Sequence, residues 1–337
     1  MSALIGSIIV FLLVVLLHEF GHFSVAKLVG IKVNEFSVGM GPKIFQKTKG
    51  ETKYSLRALP IGGYVAMEGE DEESFDPRSF NNVSVFKRMA VVLAGVTMNF
   101  ILAIFCFFIL FYFIGFGSNI IDTVIKDSPA DAAGLTKGDK IVGVNYVRTD
   151  NLNDIVEEIS KNNGKELNLN ILRNNESINK KIMPKFSKEE NRYIIGFSST
   201  RQRSFLGSFS LAFKQTGDVV KAIFSVFSLI RDGKFTSDMI SGPIGVISII
   251  GQETSKGFLY LVQILAIISA NLGVMNLIPI PGLDGGKFFL LIIESIRGKA
   301  ISEKLEMKLT MIGYGILLTL MIYVTIFNDL GRLFKWQ

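Results

Sequence analysis

The chain has one cysteine, Cys106, and only two histidines among its 337 residues. A single cysteine excludes an intramolecular disulfide and any cysteine-based metal cluster. Cys106 sits in an apolar stretch and reads as a small packed or lipid-facing hydrophobe. Two histidines leave no histidine-rich loop of the kind that delivers metal to a transporter. No basic stripe interleaved with aromatics occurs, and the net charge of +6 is spread over loops. The composition therefore gives no footing for nucleic-acid binding. Charge is missing altogether from Ala3 to Leu17. That run lacks the basic leading region and small-residue cleavage site of a secretory signal, so it is expected to be a retained transmembrane helix.

What is present is apolar surface. At 49% hydrophobic residues the chain is too apolar for an ordinary soluble domain, while its middle third is polar enough to fold in water. Four spans are expected, within 1–30, 90–116, 258–281 and 309–330, each near the roughly 20 residues that cross a hydrocarbon layer of ~30 Å. Residues 31–89 alternate in short stretches around Gly39-Met40-Gly41-Pro42 and Ile61-Gly62-Gly63-Tyr64, which reads as strands joined by glycine turns. The acidic run from Glu68 to Glu73 reads as a solvated loop. Residues 118–200 form a soluble insert. In 201–257, Lys214, Asp218 and Lys221 interrupt an apolar pattern, which suits an amphipathic, interfacial helix better than a span. Residues 282–308 are expected to be a loop. The fold class is thus a polytopic α-helical membrane protein with four transmembrane helices and one extramembrane domain. Loop 31–89 carries nine Lys and Arg, and loop 282–308 carries five, against Arg332 and Lys335 in the C-terminal tail. The positive-inside rule places both loops in the cytoplasm and the 118–200 domain outside.

Both histidines fall in one pentad, His18-Glu19-Phe20-Gly21-His22, at the end of the first apolar run. Ionisable clusters inside a membrane segment are costly and mark function. On a helix, residues four apart share a face, so both imidazoles reach one ion. Zinc at a catalytic site needs a third protein ligand and one open position. Glu19, next to the first histidine, is placed as general base toward a water. The third ligand has to come from elsewhere. Asn276, Pro279, Pro281, Gly282, Asp284, Gly285 and Gly286 break the end of the third span, and irregular backbone at membrane depth is tolerated where it lines a cavity. Asp284 supplies an oxygen ligand there, the plain alternative being an Asp-Gly turn.

These two motifs, in this order and on separate spans, resemble those of the site-2 protease family, in its bacterial regulator-of-sigma-E protease branch. The resemblance implies an intramembrane zinc metalloprotease, with Zn2+ on His18, His22 and Asp284 and with Glu19 catalytic. It implies that Asn276, Pro279 and Pro281 bind substrate, and that Gly62 and Gly63 belong to a membrane-associated β-hairpin region that takes a substrate strand. A plain cytoplasmic loop is the alternative for 31–89. Ala94-Gly95 and Asn99 are similar to a further family segment, with Val96 where proline is usual; taken alone, Asn99 equally suits an interhelical hydrogen bond. The segment from Ser128 to Ile141 resembles a bacterial PDZ domain, with room for one copy. The implied partner is a single-span transmembrane substrate, such as an anti-sigma factor or a remnant signal peptide, cut in regulated intramembrane proteolysis. The implied location is the bacterial inner membrane, with the active site toward the cytoplasm and the PDZ domain extracytoplasmic. A different class, a catalytically silent zinc-containing membrane PDZ receptor or scaffold, is disfavoured by the intact Glu19, because structural zinc sites are closed by four protein ligands.

Overall fold

The computed structural model describes residues 3–70, 72, 74–234, 236 and 239–331. Asp71 and Glu73 of the acidic run, and Arg332 and Lys335 of the tail, lie outside the described residues. The chain divides into two compact units, one formed by Met1–Phe108 with Ala212–Gln337 and the other by Ile109–Leu211.

The first unit begins with α1 (Ala3–Leu28), β1 (Val33–Lys49), β2 (Thr52–Met67) and α2 (Val85–Ile114). The 26 apolar residues of α1 reach about 39 Å at ~1.5 Å per residue, enough to cross a bilayer. Strands β1 and β2 are long and bent, so two strands make a broader sheet than a simple hairpin. Glu35–Val38 runs opposite to Gly63–Ala66 on one side and faces Lys53–Leu56, in the same direction, on the other. Lys43–Lys49 then returns along Thr52–Arg57. Arg57 holds the bend, donating to Glu35 Oε1 at 2.9 Å and to the Gly41 carbonyl at 2.7 Å. Ala26, Ile31, Val33, Phe80, Val91, Val92 and Leu291 form one buried cluster beneath this sheet.

The second unit holds β3 (Phe116–Val124), α3 (Pro129–Ala132), β4 (Lys140–Val144), β5 (Val147–Arg148), α4 (Leu152–Lys161), β6 (Leu167–Arg173), β7 (Glu176–Ile182), β8 (Lys185–Ser187), β9 (Arg192–Ile194) and β10 (Phe197–Gln202). The main sheet has the order β10-β3-β4-β6-β7, with β5 paired to β4 and β8-β9 forming a separate ribbon. Helix α4 is capped by Asn151, which accepts from the Asp154 amide, and it buries Ile155 and Ile159. These pack with Ile121, Ile141, Leu167, Leu169 and Ile171. In the turn before β4, Asp139 is 1% exposed. Burial pushes its carboxyl up, but Arg173 and the Thr136 amide outweigh that and hold it below the usual aspartate value.

The chain continues through α5 (Phe205–Arg231), α6 (Pro243–Ser255), α7 (Phe258–Leu277), α8 (Asp284–Arg297) and α9 (Glu303–Val324), the last running into a π-helical turn at Thr325–Leu330. Within the first unit, Asp329 of that turn caps α6 by accepting from the Gly242 and Ile244 amides at 2.9 and 3.0 Å. Among the described residues, four helices are long and apolar enough to cross a membrane: Leu4–Leu28, Val85–Ile114, Phe258–Leu277 and Lys304–Leu330. Helix α5, interrupted by charge, is not one of them.

Several boundaries differ from expectation. Helix α2 starts at Val85 rather than near residue 90, because Arg88 is not a loop cation but is buried against Glu294. The expected loop 282–308 contains α8, which starts at Asp284 and stops at Gly298, a left-handed residue suited to glycine. The third span ends at Leu277, short of 281, and α9 starts at Glu303 rather than 309. The acidic run is not a freely solvated loop either. Glu68 accepts from Lys32, Asn34 and Ser74, and Glu70 pairs with Lys287 at 2.8 Å.

Candidate metal centre

His18 and His22 lie one turn apart on α1 and are 7% and 9% exposed. The chain breaks after Leu277 and turns through 278–283, with Ile278 accepting from Ile280 at 2.7 Å and Ile280 accepting from Leu283 at 3.1 Å. It then enters α8 with Asp284 in the first helical turn. The two glycines after Asp284 are required by close approach. A Cβ on Gly285 would stand 2.3 Å from the Leu277 carbonyl oxygen, and one on Gly286 would stand 2.2 Å from that of Ile280. Without side chains there, the start of α8 folds tightly back on the end of α7 and carries Asp284 to the histidines. Asp284 Oδ2 comes within 3.1 Å of His18 Nε2 and 3.3 Å of His22 Nε2, and the two Nε2 atoms are 3.1 Å apart. These three residues are the one such potential metal-holding group among the described residues, and Glu19 is not part of it.

Comparison with known proteins places this triad in context. Residues 6–320 match peptidase family M50. The chain belongs to that family. A chain from Clostridium acetobutylicum with the provisional name zinc metalloprotease is 39% identical over 323 residues, covering 95% of each. The regulator of sigma-W protease RasP of Bacillus subtilis is 31% identical over 419 residues, covering 99% of each. The zinc metalloprotease RasP of Shouchella clausii is also 31% identical, covering 99% of this chain and 100% of its own. Among solved structures, the PDZ domain of the SdrC-like protein from Listeria innocua aligns with 26% of this chain and 97% of its own, at 18% identity and a TM-score of 0.23. The M50 peptidase described here is therefore a site-2-type zinc metalloprotease and a membrane protein.

The donor set of this M50 peptidase fits zinc. Tetrahedral zinc with ligand bonds of ~2.0–2.1 Å separates neighbouring donors by about 3.3–3.4 Å, close to the three separations above. Asp284 Oδ2 is buried and has no hydrogen-bond partner, although both imidazoles stand beside it. Ligand lone pairs converging in a buried space call for a cation between them. His22 Nδ1 lies 2.8 Å from the Val91 carbonyl, so it carries the proton and leaves Nε2 free as a ligand.

The other residues singled out from sequence fall at different distances from this centre. Asn276 Nδ2 is 3.4 Å from His18 Nε2, which brings its amide to the edge of the triad. Gly63 runs alongside the His18–His22 pentad: a methyl there would stand 3.7 Å from Glu19 Cγ. Glu19 itself is within electrostatic reach of His22, His18 and Asp284. Gly62 packs on Met40 instead, with a left-handed backbone. Pro279 and Pro281 shape the 278–283 turn, where the Pro281 carbonyl meets Gly313.

Sequence reasoning missed the part played by α2. Gly21 lets α2 approach so closely that an added Cβ would stand 2.4 Å from the Ala94 carbonyl oxygen. Gly95 then faces both rings, and a Cβ there would stand 2.3 Å from His22 Nε2 and 2.7 Å from His18 Cε1. The signal for it lies in Ala94-Gly95, two small residues side by side in an apolar helix.

Proposed function

We propose that this peptidase hydrolyses a peptide bond within the transmembrane segment of a single-span membrane protein. The observation that carries the proposal is the convergence of His18, His22 and Asp284 on one point beside Glu19, with both histidines on an apolar helix long enough to span. His18, His22 and Asp284 are the residues that would hold the zinc ion. When bound, the ion polarises the scissile carbonyl and makes a water more acidic. Glu19 takes the proton from the attacking water and passes it to the departing amide nitrogen. Burial keeps bulk water from competing, and Asn276 faces the bond to be cut.

A helical substrate hides its carbonyls in hydrogen bonds, so it has to be extended before attack. The Gly63–Ala66 stretch of β2 supports this step, because it runs beside Glu19 and pairs with β1 along one edge. Strand addition along its other edge aligns an unwound segment with the catalytic carboxylate. Pro279 and Pro281 keep the turn before Asp284 non-helical and open to the same strand. Residues 118–200 serve as an extracytoplasmic PDZ domain that binds an extended peptide end, as the Ser128–Ile141 segment suggests. The basic loops 31–89 and 282–308 favour an active site toward the cytoplasmic face of a bacterial inner membrane. The name of the Bacillus subtilis relative, a regulator of sigma-W protease, makes an anti-sigma factor the first substrate class to test, with remnant signal peptides second.

The test is cleavage of a transmembrane reporter by the full chain in liposomes. Wild type cuts; Glu19→Gln binds zinc but does not cut; a chelator stops wild type and added zinc restores it. Persistent cleavage by Glu19→Gln, or cleavage indifferent to chelator, refutes the proposal.

A further inference from the structure

The two imidazoles are steered by one face of α2. Val91, Gly95 and Asn99 are spaced four apart, so they line one stripe of that helix. The Val91 carbonyl lies 2.8 Å from His22 Nδ1, and Gly95 makes room for both rings. One turn on, Asn99 is fully buried, with its side-chain amide 3.1 Å from His18 Nδ1. Ser269 of α7 donates to the Asn99 backbone carbonyl at 2.8 Å and fixes it in place.

The direction of the Asn99–His18 bond decides its meaning. With Asn99 Nδ2 toward His18 Nδ1, the ring must accept there, and a neutral imidazole then carries its proton on Nε2. That is the atom facing Asp284 and His22, so this arrangement blocks it as a metal ligand. It also leaves Asn99 Oδ1 buried with no partner, a cost of about 1–3 kcal/mol for a buried acceptor. An amide is nearly symmetric in shape, and turning it end for end removes the conflict at Nε2 and gives Oδ1 a donor. Oδ1 then accepts from His18 Nδ1–H, and Nε2 is left with its lone pair toward the metal position.

We propose that Asn99 is a positioning residue, which accepts the His18 Nδ1 proton through its amide oxygen and thereby presents His18 Nε2 to the metal. α2 thus supplies an outer acceptor for each histidine, a backbone carbonyl for His22 and a side-chain amide for His18. This rests on the zinc-centre reading above and assigns it a further residue.

The chain's two histidines make the test direct, because [15N]histidine labelling reports only these rings. In zinc-loaded full-length protein in nanodiscs, His18 should show a protonated Nδ1 and a ligated Nε2. A zinc-loaded spectrum with His18 Nδ1 unprotonated overturns the assignment, while leaving the metal centre intact. Wild type that binds no zinc overturns both. Chelator competition gives a second measure. Asn99→Leu keeps the volume and loses the acceptor, so zinc affinity should fall about 10- to 100-fold. Asn99→Asp keeps an acceptor and should stay within a few-fold of wild type. An Asp variant as weak as Leu, or a Leu variant as tight as wild type, refutes the role. Should Asn99→Leu fail to fold, a wild-type spectrum with His18 Nδ1 unprotonated still refutes the role.

Discussion

Replacing Gly95 with alanine tests the placement of α2 against the histidine pair. The new Cβ would stand 2.3 Å from His22 Nε2 and 2.7 Å from His18 Cε1, where ordinary contact needs about 3.5 Å. One ring, or the helix behind it, therefore has to move by about 1 Å. Metal–ligand distances tolerate about 0.2 Å, so the displacement exceeds the tolerance several-fold. The helix cannot easily absorb it, because Gly21 already sits hard against the Ala94 carbonyl. Disturbing even the outer hydrogen bonds of a metal-ligating histidine costs about 10- to 100-fold in affinity, and displacing the ring itself should exceed that. The expected loss in zinc affinity is at least 100-fold, or about 3 kcal/mol. Cleavage should fall at least as far, since a misplacement of ~1 Å alone costs about 100-fold in rate. The assays are chelator competition and reporter cleavage in liposomes, with thermal unfolding in detergent to show that the variant is folded. A folded Gly95→Ala protein with wild-type zinc affinity and activity would show that α2 does not lie against the ligating rings as described.

Two further outcomes concern the scaffold. Arg88 of α2, itself buried, forms a part-buried ion pair with Glu294 of α8 that holds the helix carrying Asp284. Arg88→Ala leaves Glu294 uncompensated, and a loss of about 3–5 kcal/mol is expected, read as a lowered unfolding temperature together with weaker zinc binding. Unchanged zinc affinity in a destabilised variant would separate α8 anchoring from the metal centre. In the second unit, Asp139 accepts from Arg173 and the Thr136 amide, and Asp139→Ala should cost about 1–3 kcal/mol. Because its folded pKa lies below the unfolded value of about 3.9, its contribution is complete above that value. It is lost as pH falls through the lower, folded value. Hydrogen-exchange protection of β4 and β6 in the full chain, taken relative to the intrinsic rate at each pH, should therefore fall below about pH 4 in wild type. A wild-type profile no steeper than that of Asp139→Ala would remove the pair from the account.

The parts of the fold that could be read from sequence are those where a single period dominates. Uncharged runs announced the apolar helices, since a 20-residue stretch free of charge has few other uses. Their ends were misjudged wherever charge lies inside a helix rather than beyond it. Lys87 and Arg88 looked like loop cations, yet they belong to the first turn of α2, because Glu294, over 200 residues away, partners Arg88. Asp284 to Arg297 looked like loop for the same reason. The pairing of β1 and β2 was hidden for another: the period of a strand gives its faces, while its register depends on which partner lies on each edge. Glu35–Val38 has a partner on both.

At the centre, spacing along one helix was informative and contact between helices was not. His18 and His22 declare themselves because four residues make one turn. Asp284 could be nominated because broken backbone near a span requires a reason. The orientation of the rings left no comparable trace. The Val91 carbonyl is backbone, which every residue possesses, so no side-chain identity could point to it. Gly95 acts by having no side chain, and a glycine in an apolar helix equally suits plain helix packing. Asn99 was visible as a polar residue in a span, but its partner was not. Only the repeat of Val91, Gly95 and Asn99 at the same interval as the histidines distinguishes these readings. Two helices that meet face to face at matched intervals form a pattern that one sequence can hold but cannot pair, because the pairing depends on the close approach at Gly21 and Ala94.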